Sequence, residues 1–262
     1  MTRIIYRWLL PALLLALVLA PVPALAHYPW LLPEQFRLPV AQPLELSVGW
    51  GHTFPRNGYL PAEQLEYFYL LDPAGQRLEV QPATGGQEPL FTTAALATPG
   101  TYLVAAQRRG GYYTRTTEGG RSQSKKELAN AISCSYTVNT MKAVVQAGAE
   151  LTAPDRVLGQ DLELIPGHNP SALQPGDKLP FQLLRDGQPL SAEFRATYAG
   201  YSATGDGYAH QGETDEQGNA GLPLSAPGPW IIVAEQRTPY PDRETCDHLV
   251  HRTIFTFQVE EP

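Results

Sequence analysis

The sequence predicts an all-β protein built from β-sandwich domains. The 262-residue chain contains 25 Pro and 23 Gly, which divide it into short segments. Runs of alternating apolar and polar residues lie between these breaks, a pattern typical of strands joined by turns. Few segments show the periodicity of a long helix.

The first 26 residues have the features of a secretory signal peptide. Arg3 and Arg7 give a positive start, an apolar run covers residues 8–20, and Ala24-Leu-Ala26 forms a small-x-small cleavage site. The apolar run is shorter than the ~20 residues that a membrane span needs, and no later run approaches that length. We expect cleavage after Ala26, export to the periplasm and no membrane span in the mature chain; an uncleaved anchor is the alternative.

Three runs with clear alternation are predicted strands. They are Leu44–Trp50, Gln64–Leu70 and Thr253–Val259. Successive side chains of a strand point to opposite faces, so Phe255 and Phe257 of the third run share one face. The aromatic side chains on that face indicate a buried sheet surface.

A weak internal repeat divides the chain into two halves. Residues 97–108 and 226–237 each contain a Pro-Gly turn that leads into an apolar strand ending in Gln-Arg. We therefore predict two Ig-like β-sandwich domains, 27–150 and 155–262. They would join near Ala153-Pro-Asp155.

A polar, basic stretch interrupts this pattern. We predict a solvated loop over residues 110–122 and a short helix over residues 124–131. Ser124 would be its N-cap and Glu127 would occupy the capping-box position. Residues 134–145 would then form the next strand.

The charge of the chain excludes one class of partner. Loss of Arg3 and Arg7 with the signal peptide changes the formal net charge from −7 to −9. An acidic surface argues against nucleic acid, whose phosphates need clusters of Lys and Arg. It favours solubility and the attraction of cations.

The two cysteines are predicted to form a disulfide. Cys134 and Cys246 lie in a chain with an export signal, where paired cysteines are the rule. The bond would close a loop of about 110 residues, worth about 4–5 kcal/mol in the chain-entropy model. The alternative is a pair of reduced thiolate metal ligands.

Histidine 27 is the strongest candidate metal ligand among the six histidines. Cleavage after Ala26 would make His27 the terminal residue, which offers one ion both its α-amine and its imidazole. Both nitrogens bind metal only when unprotonated. No His-Glu-x-x-His, Cys-x-x-Cys or EF-hand motif is present, so any site must combine distant residues. A frayed terminus is the alternative interpretation.

Histidine 52 is the predicted partner of His27, since it lies at the end of an apolar strand in the same half. Three nitrogens suit nickel, cobalt, copper or zinc better than calcium or magnesium. His248 and Asp247 are a further candidate contribution, carried toward the first half by the predicted disulfide. For His52, the alternative interpretation is a structural histidine that orders the turn after it.

The other three histidines are predicted to lie at the core edge or in surface loops. His251 shares a strand face with Phe255 and Phe257 and should lie at the edge of the core. His168 and His210 are predicted in surface loops.

Several motifs together resemble a known family. His27-Tyr-Pro-Trp-Leu31, Gly49–Pro55, Leu173-Gln-Pro-Gly-Asp177 and Pro227-Gly-Pro-Trp230 resemble the exported NikM-like family, labelled as the periplasmic component of cobalt/nickel ABC transport. Residues 187–228 also resemble transthyretin-like sandwich modules, which have no catalysis of their own. The resemblance covers essentially the whole mature chain and implies metal uptake with a membrane ABC- or ECF-type transporter as partner.

The sequence therefore predicts a periplasmic, non-enzymatic protein that binds nickel or cobalt. Two alternatives belong to other classes. One is a copper-dependent redox enzyme that uses a terminal-histidine brace. The other is a non-catalytic sandwich module that binds a glycan or a protein. No Gly-x-Ser-x-Gly elbow supports a hydrolase.

Overall fold

The computed structural model describes residues 27–83, 88–202 and 207–261. The predicted signal peptide, residues 1–26, lies outside the described residues. Within the described ranges, no helix is long and apolar enough to cross a membrane.

The described chain forms 18 strands and three 3₁₀ turns. The first ten strands are β1 Tyr28–Pro33, β2 Arg37–Leu38, β3 Pro43–Gly51, β4 Gly58–Tyr59, β5 Leu65–Leu71, β6 Arg77–Pro82, β7 Leu90–Ala95, β8 Gly100–Thr116, β9 Gly119–Arg121 and β10 Ala131–Ala147. The remaining strands are β11 Leu162–Pro166, β12 Lys178–Arg185, β13 Gln188–Pro189, β14 Glu193–Tyr198, β15 His210–Glu213, β16 Asn219–Pro223, β17 Gly228–Pro239 and β18 His248–Val259. The 3₁₀ turns are Ala62–Gln64, Lys125–Glu127 and Pro170–Ala172.

The strands form three layers, in which a central sheet lies between an N-terminal and a C-terminal sheet. This central sheet has the order β5-β8-β10-β18-β17-β14-β15 and so contains strands from both halves of the chain. Its β10 and β18 are parallel, whereas its other neighbours are antiparallel. β6 links it to an N-terminal sheet of β1, β3, β7 and β6. A separate C-terminal sheet contains β11, β12, β13 and β16.

Alternating side chains of the central sheet fill two cores, one on each face. In β18, Ile254 enters the core shared with the N-terminal sheet, while Phe255 enters the core shared with the C-terminal sheet. In β10, Val145 and Val144 divide in the same way. The alternation follows from strand geometry, and both faces are apolar because both are covered.

The structure confirms the all-β, sandwich-type fold. The two halves meet in the central sheet, and Ile231 and Val233 of the second half pack in the core of the N-terminal sheet. The division into two sandwich domains, 27–150 and 155–262, stays a prediction.

The loop predicted for residues 110–122 is wrong. β8 continues to Thr116, and β9 then pairs with its end. Pairing with β10, interrupted by two register shifts, satisfies most of the backbone of this stretch, and this pairing outweighs its polar composition. The helix predicted for residues 124–131 is reduced to one 3₁₀ turn, but Ser124 caps it as expected by accepting from the Lys126 amide.

A disulfide joins Cys134 and Cys246. Both residues are buried, and their Cα atoms lie 5.0 Å apart. The bond lies just before the first residue pair of the parallel β10–β18 ladder, Ser135 with His248. It thus fastens the point where the two halves of the chain begin to pair. A disulfide of this kind is typical of an exported protein.

Replacing Gly49 by Ala is expected to lower the free energy of unfolding by about 1–3 kcal/mol, the usual result of overpacking. A Cβ at Gly49 would lie 2.1 Å from Cε2 of Trp30, its fully buried partner on β1. Urea unfolding of Gly49→Ala measures the loss. Gly111→Ala is the matched control because its nearest neighbour would lie 3.9 Å away. Equal losses in both variants would contradict the prediction.

Candidate functional site

The pairing of β1 with β3 brings His27 and His52 together. The ladder pairs Pro29 with Trp50 and Tyr28 with Gly51, so one further step places His27 opposite His52. Directly opposed residues of an antiparallel pair share one face. The two imidazole ring centroids lie 4.2 Å apart, with an angle of 36° between the rings.

An indole ring forms one wall of this site. The His27 ring stacks on Trp50 at 5.7 Å between centroids and an interplanar angle of 16°. Trp50 is the diagonal neighbour of His27 on the same face of the ladder. The guanidinium carbon of Arg108 lies 4.7 Å from the centre of the same indole. The site thus combines two imidazoles, one indole and one cation.

Hydrogen bonds fix the loop that carries His52. The backbone amide of His52 donates to Asn57 Oδ1 at 2.9 Å. The indole nitrogen of Trp30 donates to the carbonyl of Pro55 at 3.0 Å. Because Trp30 is fully buried, it ties this loop to the core.

A residue of the central sheet contacts the backbone of His27. Arg252 of β18 is buried and donates to Glu235 of β17, and its Nη1 lies 3.5 Å from the carbonyl oxygen of His27. Register places Asn139 between Arg108 and Arg252 across the sheet. A polar row of the central sheet therefore lies on the face that packs against β1.

The site can offer three nitrogens to one metal ion. They are the two imidazoles and the amine that cleavage after Ala26 would create. Two nitrogens bound to one ion lie at most about 4 Å apart, since each bond measures about 2.0–2.1 Å. Neighbouring rings at the observed separation can meet this limit by turning about their side-chain bonds. Within the described ranges, no group of three His, Cys, Asp or Glu side chains could hold a metal, so no carboxylate completes the set.

The other two candidate ligands lie elsewhere. His248 precedes Arg252 by four positions on β18, which corresponds to about 13 Å along a strand. Both carboxylate oxygens of Asp247 are occupied, one by the Lys125 ammonium and the other by the backbone amide of Cys134. These bonds hold the pKa of Asp247 below its usual range, the Lys125 contact most of all. Asp247 thus stabilises the turn beside the disulfide, away from the His27–His52 pair.

The remaining three histidines lie in different environments. His251 is buried, as its strand face predicts, with Nε2 3.1 Å from Arg185. Burial lowers the pKa of His251, and the Arg185 charge lowers it further. His168 is exposed in a turn, as expected. The surface-loop prediction for His210 is wrong, because His210 begins β15 and stacks on the buried Trp230.

Sequence reasoning missed the residues that surround the candidate ligands. Arg108 was visible as the end of a repeated Gln-Arg pair, but a repeat does not show which ring an arginine contacts. Trp50 carried a clearer signal, since it lies two residues before His52 on an alternating strand. Arg252 stood in an apolar run with nothing to indicate contact with residue 27, 225 positions away.

Comparisons with solved structures return distant likenesses. The D0-D1 domain of intimin is 12% identical, with a TM-score of 0.23 over 87% of this chain and 96% of that chain. A Salmonella alpha-2-macroglobulin mutant is 12% identical, with a TM-score of 0.25 over 91% of this chain and 15% of that one. The fold assignment therefore rests on the strands and sheets of the protein itself.

No curated protein matches the chain. The cobalt and nickel role implied by the NikM-like resemblance stays a prediction. One family profile covers residues 24–238, which is most of the sequence. The chain therefore belongs to the DUF4198 family, described as a domain of unknown function.

Proposed function

We propose that the protein is a periplasmic binding protein for a divalent transition metal, nickel or cobalt. It would pass the ion to a membrane transporter of the ABC or ECF type. The observation that carries the proposal is the cross-strand placement of His27 opposite His52, with ring centroids 4.2 Å apart. The chemistry required is exchange of ligands at the metal, and no substrate bond is made or broken.

The surroundings of the pair support a binding role. β1 is fixed along its length by β3, so the residue before it has a defined position. The Trp50 stack and the Arg252 contact restrict His27 on two sides. Ligands held in place before binding lose less conformational entropy when the ion arrives. His27 is solvent-exposed, which gives an ion access.

A protein that retains Ala26 is expected to bind Ni²⁺ at least about tenfold more weakly than one that begins at His27. A loss of this size is typical of weakened metal coordination. The extra residue converts the amine into an amide and removes one nitrogen. Isothermal titration with Ni²⁺ and Co²⁺ measures the difference. His52→Ala should show a similar loss, and His168→Ala, which changes an exposed histidine in a turn, is the matched control.

Acidification should also weaken binding in the protein that begins at His27, because its nitrogens must lose protons to bind. Equal affinities of the two N-terminal forms would show that the terminal amine is not a ligand.

A copper-dependent redox enzyme is the second candidate, since two histidines and a terminal amine also form a copper brace. Oxygen- or peroxide-dependent turnover by the copper-loaded protein would favour this function over transport. A correctly cleaved protein that binds none of these metals would instead favour the glycan- or protein-binding module.

A further inference from the structure

Arg108 lies beside the candidate metal site and has no countercharge among the residues that the structure describes. Its Nε is shielded from solvent and has no hydrogen-bond acceptor among the residues that the structure describes. None of the ion pairs within those ranges involves Arg108. The neighbouring Arg109 differs, because it pairs with Glu66 at 2.8 Å. Arg252 is likewise neutralised by Glu235.

The position of Arg108 follows from the central sheet. It lies on β8 opposite Asn139 of β10, on the face that packs against β1. Its guanidinium lies over Trp50, and Trp50 stacks on His27. A partly buried guanidinium has lost some of its hydration, which raises its demand for an anionic partner.

The charge of the proposed metal site also calls for an anionic partner. The amine and two imidazoles are neutral ligands, so they leave the two positive charges of the ion unbalanced. Within the described ranges no third acidic or histidine side chain joins the pair. Arg108 adds a further positive charge nearby. A bare dication is therefore disfavoured here relative to an ion that carries anionic ligands.

We propose that the site binds its metal as a complex with a small polycarboxylate, and that Arg108 binds a carboxylate of that ligand. This inference rests on the proposed function. Three protein nitrogens leave coordination positions open on Ni²⁺ or Co²⁺, and carboxylate oxygens can fill them. A guanidinium pairs with a free carboxylate through two parallel hydrogen bonds. The cargo is then a metal chelate, recognised by both its ion and its ligand.

The test compares Ni²⁺ alone with the 1:1 complex of Ni²⁺ and citrate, using the protein that begins at His27. Arg108→Gln should bind the citrate complex about 10- to 100-fold more weakly than the wild type, as expected for the loss of a charged hydrogen bond. It should bind Ni²⁺ alone equally well or more tightly. Arg109→Gln is the matched control and should bind both probes like the wild type. Native mass spectrometry should detect citrate and nickel together on the wild type.

Arg108→Lys keeps the charge but loses the planar guanidinium. Its affinity for the citrate complex should lie between those of the wild type and Arg108→Gln. It also provides a measurement if Arg108→Gln fails to fold. The inference is overturned if the wild type binds Ni²⁺ but citrate only strips the ion away, or if the Arg108 variants bind the complex like the wild type. If the wild type binds neither probe, the proposed function itself fails.

Discussion

Replacing both cysteines by alanine is expected to lower the free energy of unfolding by about 4–5 kcal/mol, which is much of the stability of an ordinary domain. Cys134 and Cys246 are separated by 112 positions, and the bond between them restricts a long loop in the unfolded chain. Without it, pairing β10 with β18 must overcome the closure entropy of the whole intervening segment.

Urea unfolding of Cys134→Ala/Cys246→Ala tests this expectation. The dependence of the free energy on urea should also steepen, because the uncrosslinked unfolded chain exposes more surface. Ser133→Ala, a change to a neighbouring residue on β10, is the control. A loss below about 1 kcal/mol would show that the unfolded chain gains little freedom when the bond is removed.

The disulfide should leave metal binding unchanged in protein that remains folded. Cys134 precedes Asn139 by five positions. Asn139 pairs with Arg252, which contacts the backbone of His27. That spacing corresponds to about 16 Å along a strand. Reduced affinity in a folded double variant would show that the disulfide also supports the site.

Replacing Glu163 by glutamine is expected to lower the free energy of unfolding by about 3–5 kcal/mol, since it leaves a buried ammonium without its countercharge. Lys142 and Glu163 form an ion pair in which each side chain is only 1% exposed. Burial lowers the pKa of Lys142, and the nearby carboxylate opposes that change. Lys142 lies on β10, on the face that the C-terminal sheet covers.

The Glu163 carboxylate also accepts three backbone amides. The donors are Leu158, Gly159 and Gln160, at 2.7, 3.0 and 3.2 Å. These residues lie between β10 and β11, so the Glu163 carboxylate, through its ion pair with Lys142, fixes this segment to the central sheet. Lys142→Met should lower the free energy of unfolding by less than Glu163→Gln does, because the Glu163 carboxylate would keep all three amide donors.

Chemical denaturation of both variants tests the pair. Glu193→Gln, a change to an exposed residue at the start of β14, is the control and should shift the stability by less than about 0.5 kcal/mol. A Glu163 variant as stable as this control would show that the pair contributes nothing beyond packing.

The candidate site was partly predictable. An apolar strand ending before His52 and a predicted cleavage site ending before His27 are features of the local sequence. Their pairing needed the register of β1 and β3, which depends on which apolar faces become buried. The single Lys142 within an apolar strand was a signal of a buried pair, but its partner lies beyond the following loop.

The sequence by itself determined the fold class of this protein and the strands with clear alternation, because alternation and turn chemistry act between near neighbours. It did not determine the polar end of β8, which is a strand because it pairs with β10. The disulfide was predictable too, since the chain has only two cysteines. Only the tertiary structure decided that the halves share one central sheet, and that Arg108 lies over the ring that stacks on His27. Those contacts join distant parts of the chain, and they are selected by the simultaneous burial of both faces of that sheet.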